Sequence, residues 1–106
     1  MIASMLALAI AGGPVSAAPC VTPPNTAKGA AAGQPWFVNG AEITFNGRQF
    51  RKFGLPRVLM PGEIRLAGAF KGVAVYLPSD TTFGEGVVYL PVDWAACSFQ
   101  PYAAKG

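Results

Sequence analysis

Pairs of turn-forming residues divide this chain into segments too short for ordinary helices but of the right length for β-strands. Asn39-Gly40 and Asn46-Gly47 are typical of two-residue hairpin turns, because both residue types tolerate positive φ angles. Around these pairs, apolar residues alternate with polar ones and do not recur every three or four positions. The chain from Trp36 onward therefore predicts an all-β domain.

We expect five to six short antiparallel strands in one small barrel or sandwich covering residues 36–106. Residues 36–38, 41–45 and 48–53 are predicted to form a meander, and residues 54–62 a loop. The strand order resembles that of an SH3-like barrel, and an OB-like barrel is the alternative. A chain of 106 residues with this pattern predicts a single domain.

A short motif, VYLP, occurs at residues 75–78 and again at residues 88–91. The two copies are too close together to be structural repeat units. We interpret them as neighbouring strands, each ended by its proline, which cannot donate a hydrogen bond to the sheet.

The first 17 residues are predicted to be a cleaved signal peptide. Residues 1–11 are almost wholly apolar, Gly12 and Pro14 follow, and small residues stand at the expected cleavage site after Ala17. The apolar stretch is too short to span a bilayer, so no transmembrane segment is expected after cleavage. No Lys or Arg precedes the apolar stretch, so either the basic end of the signal peptide is weak or the true start lies upstream. A buried N-terminal helix is the alternative to a signal peptide. We expect an exported protein, periplasmic or extracellular.

Residues 18–35 are rich in Pro, Ala and Gly and predict either a tether or a strap held down near Cys20. Exported proteins are oxidised, and the chain has two cysteines, Cys20 and Cys97. We therefore expect one intramolecular disulfide between them.

The sequence lacks several residues and motifs that catalysis, metal binding and phosphate binding usually use. The chain has no histidine and no phosphate-binding glycine motif. Asp80 and Glu85 on one loop form only a weak calcium or catalytic pair. The net charge is +3, and an exported chain is not expected to meet nucleic acid. We predict a protein that is not an enzyme and has no cofactor and no metal.

The first candidate binding surface is aromatic. If the aliphatic residues of the strands face inward, the tyrosines and one arginine face outward, and these residue types are enriched at protein interfaces. The alternative is that the tyrosines pack under residues 18–35. The candidate residues are Tyr76, Tyr89, Tyr102 and Arg65.

The second candidate is a basic cluster, interleaved with Phe50 and Phe53 and free of acids. Such a cluster suits an anionic envelope polymer, a lipid headgroup or an acidic protein patch. The alternative is a solvated strand edge whose cations prevent aggregation. The residues are Arg48, Arg51, Lys52 and Arg57.

Taken together, these features predict an exported, non-enzymatic accessory or binding module of the cell envelope. Its partner is expected to be a protein or an anionic envelope polymer. The alternative is a secreted inhibitor of a hydrolase, which would act through the loop at residues 54–62 or the loop at residues 80–86.

Overall fold

The computed structural model describes residues 19–80 and 86–105. In these ranges antiparallel strands form one curled sheet, a half-barrel, with a single short α-helix, α1 (Pro35–Val38), and a 3₁₀ turn at Pro61–Glu63. The all-β prediction is confirmed, and the predicted signal peptide lies outside the described residues. The strands are β1 (Ile43–Phe45), β2 (Arg48–Lys52), β3 (Arg57–Val58), β4 (Ile64–Phe70), β5 (Val73–Pro78), β6 (Val87–Asp93) and β7 (Ser98–Ala104).

The sheet has the order β1-β2-β7-β6-β5-β4, with β3 also paired to β7. Strands β2 and β3 lie along the same edge of β7, where Lys52 pairs with Tyr102 and Arg57 with Phe99. The described chain thus has seven strands where five to six were expected. The extra strand is β3, which lies inside the predicted 54–62 loop and owes its extended form to pairing with β7.

Two of the turns follow directly from local backbone chemistry. Asn46 (φ 51°) and Gly47 (φ 78°) both have positive φ between β1 and β2, as the hairpin prediction requires. Lys71 (φ 49°) and Gly72 (φ 81°) repeat this conformation between β4 and β5.

The prediction of a strand and hairpin at residues 36–40 is wrong, because these residues form α1 and its end. Asn39 has φ −81°, in the right-handed region, and its N–H donates to the Pro35 carbonyl oxygen at 2.9 Å. Pro35 suits a first helical turn, and Gly40, with φ 71°, suits the position just after a helix. Trp36 packs against the core, and this contact favours the helical turn.

The interpretation of the VYLP motif is half correct. Strands β5 and β6 are neighbours, and Tyr76 pairs with Tyr89. Pro78 ends β5 as expected. Pro91 does not end β6, because a register shift after it lets the strand continue to Asp93.

Both faces of the sheet are covered by buried apolar side chains. Helix α1 contributes Trp36 and Phe37 to one cluster, called the Phe50 cluster below, and Val21 and Ala27 from the N-terminal segment belong to the other, called the Phe99 cluster. The Phe50 cluster contains Ala31, Ile43, Phe45, Phe50, Val73, Val75, Leu77, Val88, Leu90 and Tyr102, and the Phe99 cluster contains Ala27, Leu59, Ile64, Ala74, Tyr76, Tyr89 and Phe99.

The segment at residues 19–31, called the strap below, lies on the sheet. The Cys20–Cys97 disulfide forms as predicted, with Cα atoms 5.1 Å apart. Further along, the indole N–H of Trp94 donates to the carbonyl oxygens of Lys28 (3.1 Å) and Gly29 (3.2 Å). The Ala31 N–H donates at 2.7 Å to the Pro91 carbonyl oxygen. The described part of the Pro/Ala/Gly-rich segment therefore has the geometry of the strap alternative.

Candidate binding surface

The predicted tyrosine face does not reach solvent, so the exposure predicted for it is wrong. Tyr76, Tyr89 and Tyr102 are 3%, 7% and 0% exposed. Tyr76 and Tyr89 lie in the Phe99 cluster together with the strap residue Ala27. Tyr102 lies in the Phe50 cluster. The alternation of residues along a strand predicts which side chains share a face of the sheet. In this fold, buried apolar side chains cover both faces.

Burial also changes the chemistry of these tyrosines. It raises the pKa of Tyr102 to about 12 and raises the pKa of Tyr76 above its usual range. Within the described residues the Tyr102 hydroxyl has no hydrogen-bond partner. These side chains act as core groups and offer no contact area to a partner.

Arg65 does not share a face with the tyrosines. In the β4–β5 ladder it pairs with Leu77, whereas the adjacent Leu66 pairs with Tyr76. Successive residues of a strand point to opposite faces, so Arg65 lies on the face opposite Tyr76. Arg65 is exposed at the β4 edge.

The predicted basic cluster is divided between the two faces of β2. Arg48 and Lys52 alternate with the buried Phe50 on its face. The guanidinium of Arg48 lies 5.6 Å from the Phe50 ring centroid. The Lys52 ammonium donates to the Phe37 carbonyl oxygen and lies 3.6 Å from that ring's centroid. Lys52 therefore ties α1 to β2.

Arg51 and Arg57 lie on the same face of the sheet as the Phe99 cluster. They pair with Ala103 and Phe99, positions four residues apart on β7, which places them about 13 Å apart along one edge. Both are exposed. Arg57 donates to the Tyr89 hydroxyl at 3.1 Å, and its guanidinium lies 6.0 Å from that ring's centroid.

The surface between these two arginines was not predicted from the sequence. Residues 53–58, called the 53–58 loop below, present Leu55 at 82% exposure, Val58 at 67% and Phe53 at 46%. The apolar residues of this segment could have indicated the surface, but residues 54–62 were assigned to a loop because of their glycines and prolines.

A buried amide holds the 53–58 loop in place. Gln100 is 2% exposed, and its Nε2 donates to the carbonyl oxygens of Phe53 (3.0 Å) and Gly54 (3.1 Å). The Phe53 N–H donates to the Pro101 carbonyl oxygen, and at the other end the Leu59 N–H donates to the carbonyl oxygen of Cys97, the residue before β7. Because one end is hydrogen-bonded to β7 and the other to the residue before it, the exposed apolar side chains stand on an anchored backbone.

A second concave feature lies at the opposite edge of the sheet. It is an apolar groove of about 340 Å³ between the first strap residues and the start of β4. Pro19, Val21 and Pro24 form one wall, and Ile64, Leu66 and Tyr76 lie on the other side. None of the described residues that line it is charged.

Other site types find no support in the part of the chain described. Within residues 19–80 and 86–105 there is no group of three or more Cys, Asp or Glu side chains placed to hold a metal ion. No helix in those two ranges is long and apolar enough to cross a membrane. Comparison with family models, with curated proteins and with solved structures finds no match for this chain.

Proposed function

We propose that this chain is an exported, non-enzymatic binding module of the cell envelope whose contact surface is the 53–58 loop with Arg51 and Arg57. The observation that carries the proposal is Leu55, 82% exposed on a loop fixed by the buried Gln100 amide. Exposed apolar groups on an ordered backbone lose little conformational entropy on binding, which favours association.

Charge and covalent structure support the same role. No acid occurs in the sequence between Glu42 and Glu63, so the segment around the loop is purely basic. The Cys20–Cys97 disulfide fits an oxidising compartment outside the cytoplasm. The surface is smaller than the predicted one, since the tyrosines, Arg65 and Lys52 are not part of it.

Photo-crosslinking in intact producing cells tests the proposal. A photoreactive amino acid replaces Leu55 in one variant and Ala69, exposed on β4, in a matched control. We expect an adduct from position 55 that is absent from position 69 and weakened by Arg51→Glu. Equal adducts at both positions, or none at position 55, would contradict the proposed surface.

The loop geometry also favours a second candidate, the hydrolase inhibitor. A rigid loop that presents one apolar side chain is the form in which an inhibitor enters an active-site cleft, and Leu55 is such a side chain. Residues 81–85 of the other candidate loop lie outside the described residues. Inhibition of a secreted protease or cell-wall hydrolase, lost on Leu55→Ser, would favour this candidate over the binding module.

A further inference from the structure

Exposed apolar side chains are concentrated beside the edge of β7 that β2 and β3 share. Of the large apolar side chains described, five are exposed: Val38, Phe53, Leu55, Val58 and Leu66. Three of these belong to the 53–58 loop. Val38 follows Phe37, whose carbonyl oxygen accepts the Lys52 hydrogen bond, so the end of α1 lies beside the start of the loop. Four of the five therefore lie in one region.

Arg57 carries positive charge that its described side-chain contact does not neutralise. Its guanidinium donates to the Tyr89 hydroxyl, which is an uncharged acceptor. The two flanking acids of the sequence are engaged elsewhere. Glu42 pairs with Lys105 at 3.1 Å, and Glu63 accepts the Met60 N–H at 2.7 Å.

These two properties together restrict the chemistry of a partner. An anionic polymer would satisfy the arginines but leave Leu55 and Val58 in water. A protein partner would need an apolar pocket of matching shape with an acidic rim. An anionic bilayer surface offers an apolar interior beside a layer of negative headgroups, and it imposes no requirement of shape.

We propose that the 53–58 loop docks on an anionic lipid surface, with Leu55 entering the boundary of the acyl chains and Arg51 and Arg57 lying among the headgroups. The inference rests on the proposed function, because it names the partner of the same surface. The loop is short and fixed by Gln100, so it contacts the interface without spanning the bilayer.

Vesicle sedimentation tests the inference on the chain as it is exported, with its N-terminus determined by mass. The probes are vesicles of phosphatidylcholine alone and vesicles with phosphatidylglycerol added. We expect binding that requires phosphatidylglycerol and weakens as salt is raised, since salt screens exposed charges. Any contribution of apolar N-terminal residues is present with both vesicle types and in every variant, so the difference reports on the loop.

Three variants define the expected result. Leu55→Ser is expected to weaken partitioning into the anionic vesicles about tenfold, the effect of withdrawing one aliphatic side chain from an apolar phase. Arg51→Gln is expected to weaken it about fivefold, since one cation near an anionic surface is lost. Leu66→Ser is the matched control, because Leu66 is also an exposed leucine but lies at the opposite edge, and it should bind as wild type. Equal urea midpoints establish that all variants are folded.

Equal binding to both vesicle types, or wild-type binding by Leu55→Ser, would overturn the lipid inference. If the vesicles fail while position 55 still forms its crosslink in cells, a protein or polymer is the partner and only the lipid inference falls. If the crosslink also fails, the proposed function falls with it.

Discussion

The buried amide of Gln100 should control both the stability of the domain and the order of its exposed loop. We consider Gln100→Met, which keeps a side chain of similar length and volume but removes the donor. In the folded protein, Nε2 lies 3.0 Å from the Phe53 carbonyl oxygen and 3.1 Å from that of Gly54. These two bonds and the Nε2 contact with the Pro101 carbonyl oxygen at 3.2 Å are lost, and the surrounding apolar contacts remain.

The expected cost follows from these two bonds. A neutral hydrogen bond contributes about 1 kcal/mol net, and an acceptor left buried costs more. We therefore expect the free energy of unfolding to fall by about 2 kcal/mol. For a domain of this size, with a urea dependence of about 1–2 kcal/mol per molar, the midpoint falls by about 1–2 M.

The assay is urea denaturation combined with amide hydrogen exchange. The Phe53 N–H, which donates to the Pro101 carbonyl oxygen at 3.2 Å, should exchange faster in the variant because the adjacent Phe53 and Gly54 carbonyl oxygens are no longer held by the Gln100 amide. Gln49→Met is the matched control, since Gln49 is exposed on β2, and it should change stability by less than about 0.5 kcal/mol. Wild-type stability and unchanged hydrogen exchange in Gln100→Met would show that the Gln100 amide neither stabilises the domain nor holds the 53–58 loop.

Three further predictions concern the rest of the fold. Replacing Cys20 and Cys97 by Ser should lower stability by about 4 kcal/mol in the chain-entropy model for residues 77 apart, measured by urea denaturation, and a loss below about 1 kcal/mol would contradict it. Gly68→Ala should lower the free energy of unfolding by about 1–3 kcal/mol, measured by thermal denaturation, because the added Cβ would lie 2.8 Å from the Phe45 ring of β1. The control Gly62→Ala meets open space and should leave the stability close to that of the wild type. Tyr102 has a raised pKa in the folded state, so its ionisation does not destabilise the fold below about pH 10, and stability is lost as pH rises toward 12. Tyr102→Phe should remove part of this alkaline loss. It should also raise neutral-pH stability by about 1 kcal/mol, because the unpartnered buried hydroxyl disappears. An unchanged pH profile of the denaturation midpoint in Tyr102→Phe would argue against its titration.

Features that depend on the residue types themselves and on residues adjacent in the sequence could be predicted from the sequence alone. The conformation of Asn46-Gly47 follows from the φ angles those two residues tolerate, and it appears as predicted. The disulfide of Cys20 and Cys97 was inferred from their even number and the predicted export, and the fold brings them together. The apolar character of β5 likewise required nothing beyond its own residues.

Features that depend on distant segments were decided by the tertiary structure. Asn39-Gly40 carries the same local signal as the true hairpin, yet packing of Trp36 on the core makes it the end of a helix. Tyr76 alternates as an outward residue should, but the strap, joined to the sheet through a disulfide spanning 77 positions, covers it. Gln100, more than forty positions away in the sequence, helps to hold the exposed 53–58 loop in place by donating to the carbonyl oxygens of Phe53 and Gly54. The alternation of residues along a strand and the residues of its turns determine on which face of the sheet a side chain lies. Whether that face is buried depends on which other parts of the chain lie against it.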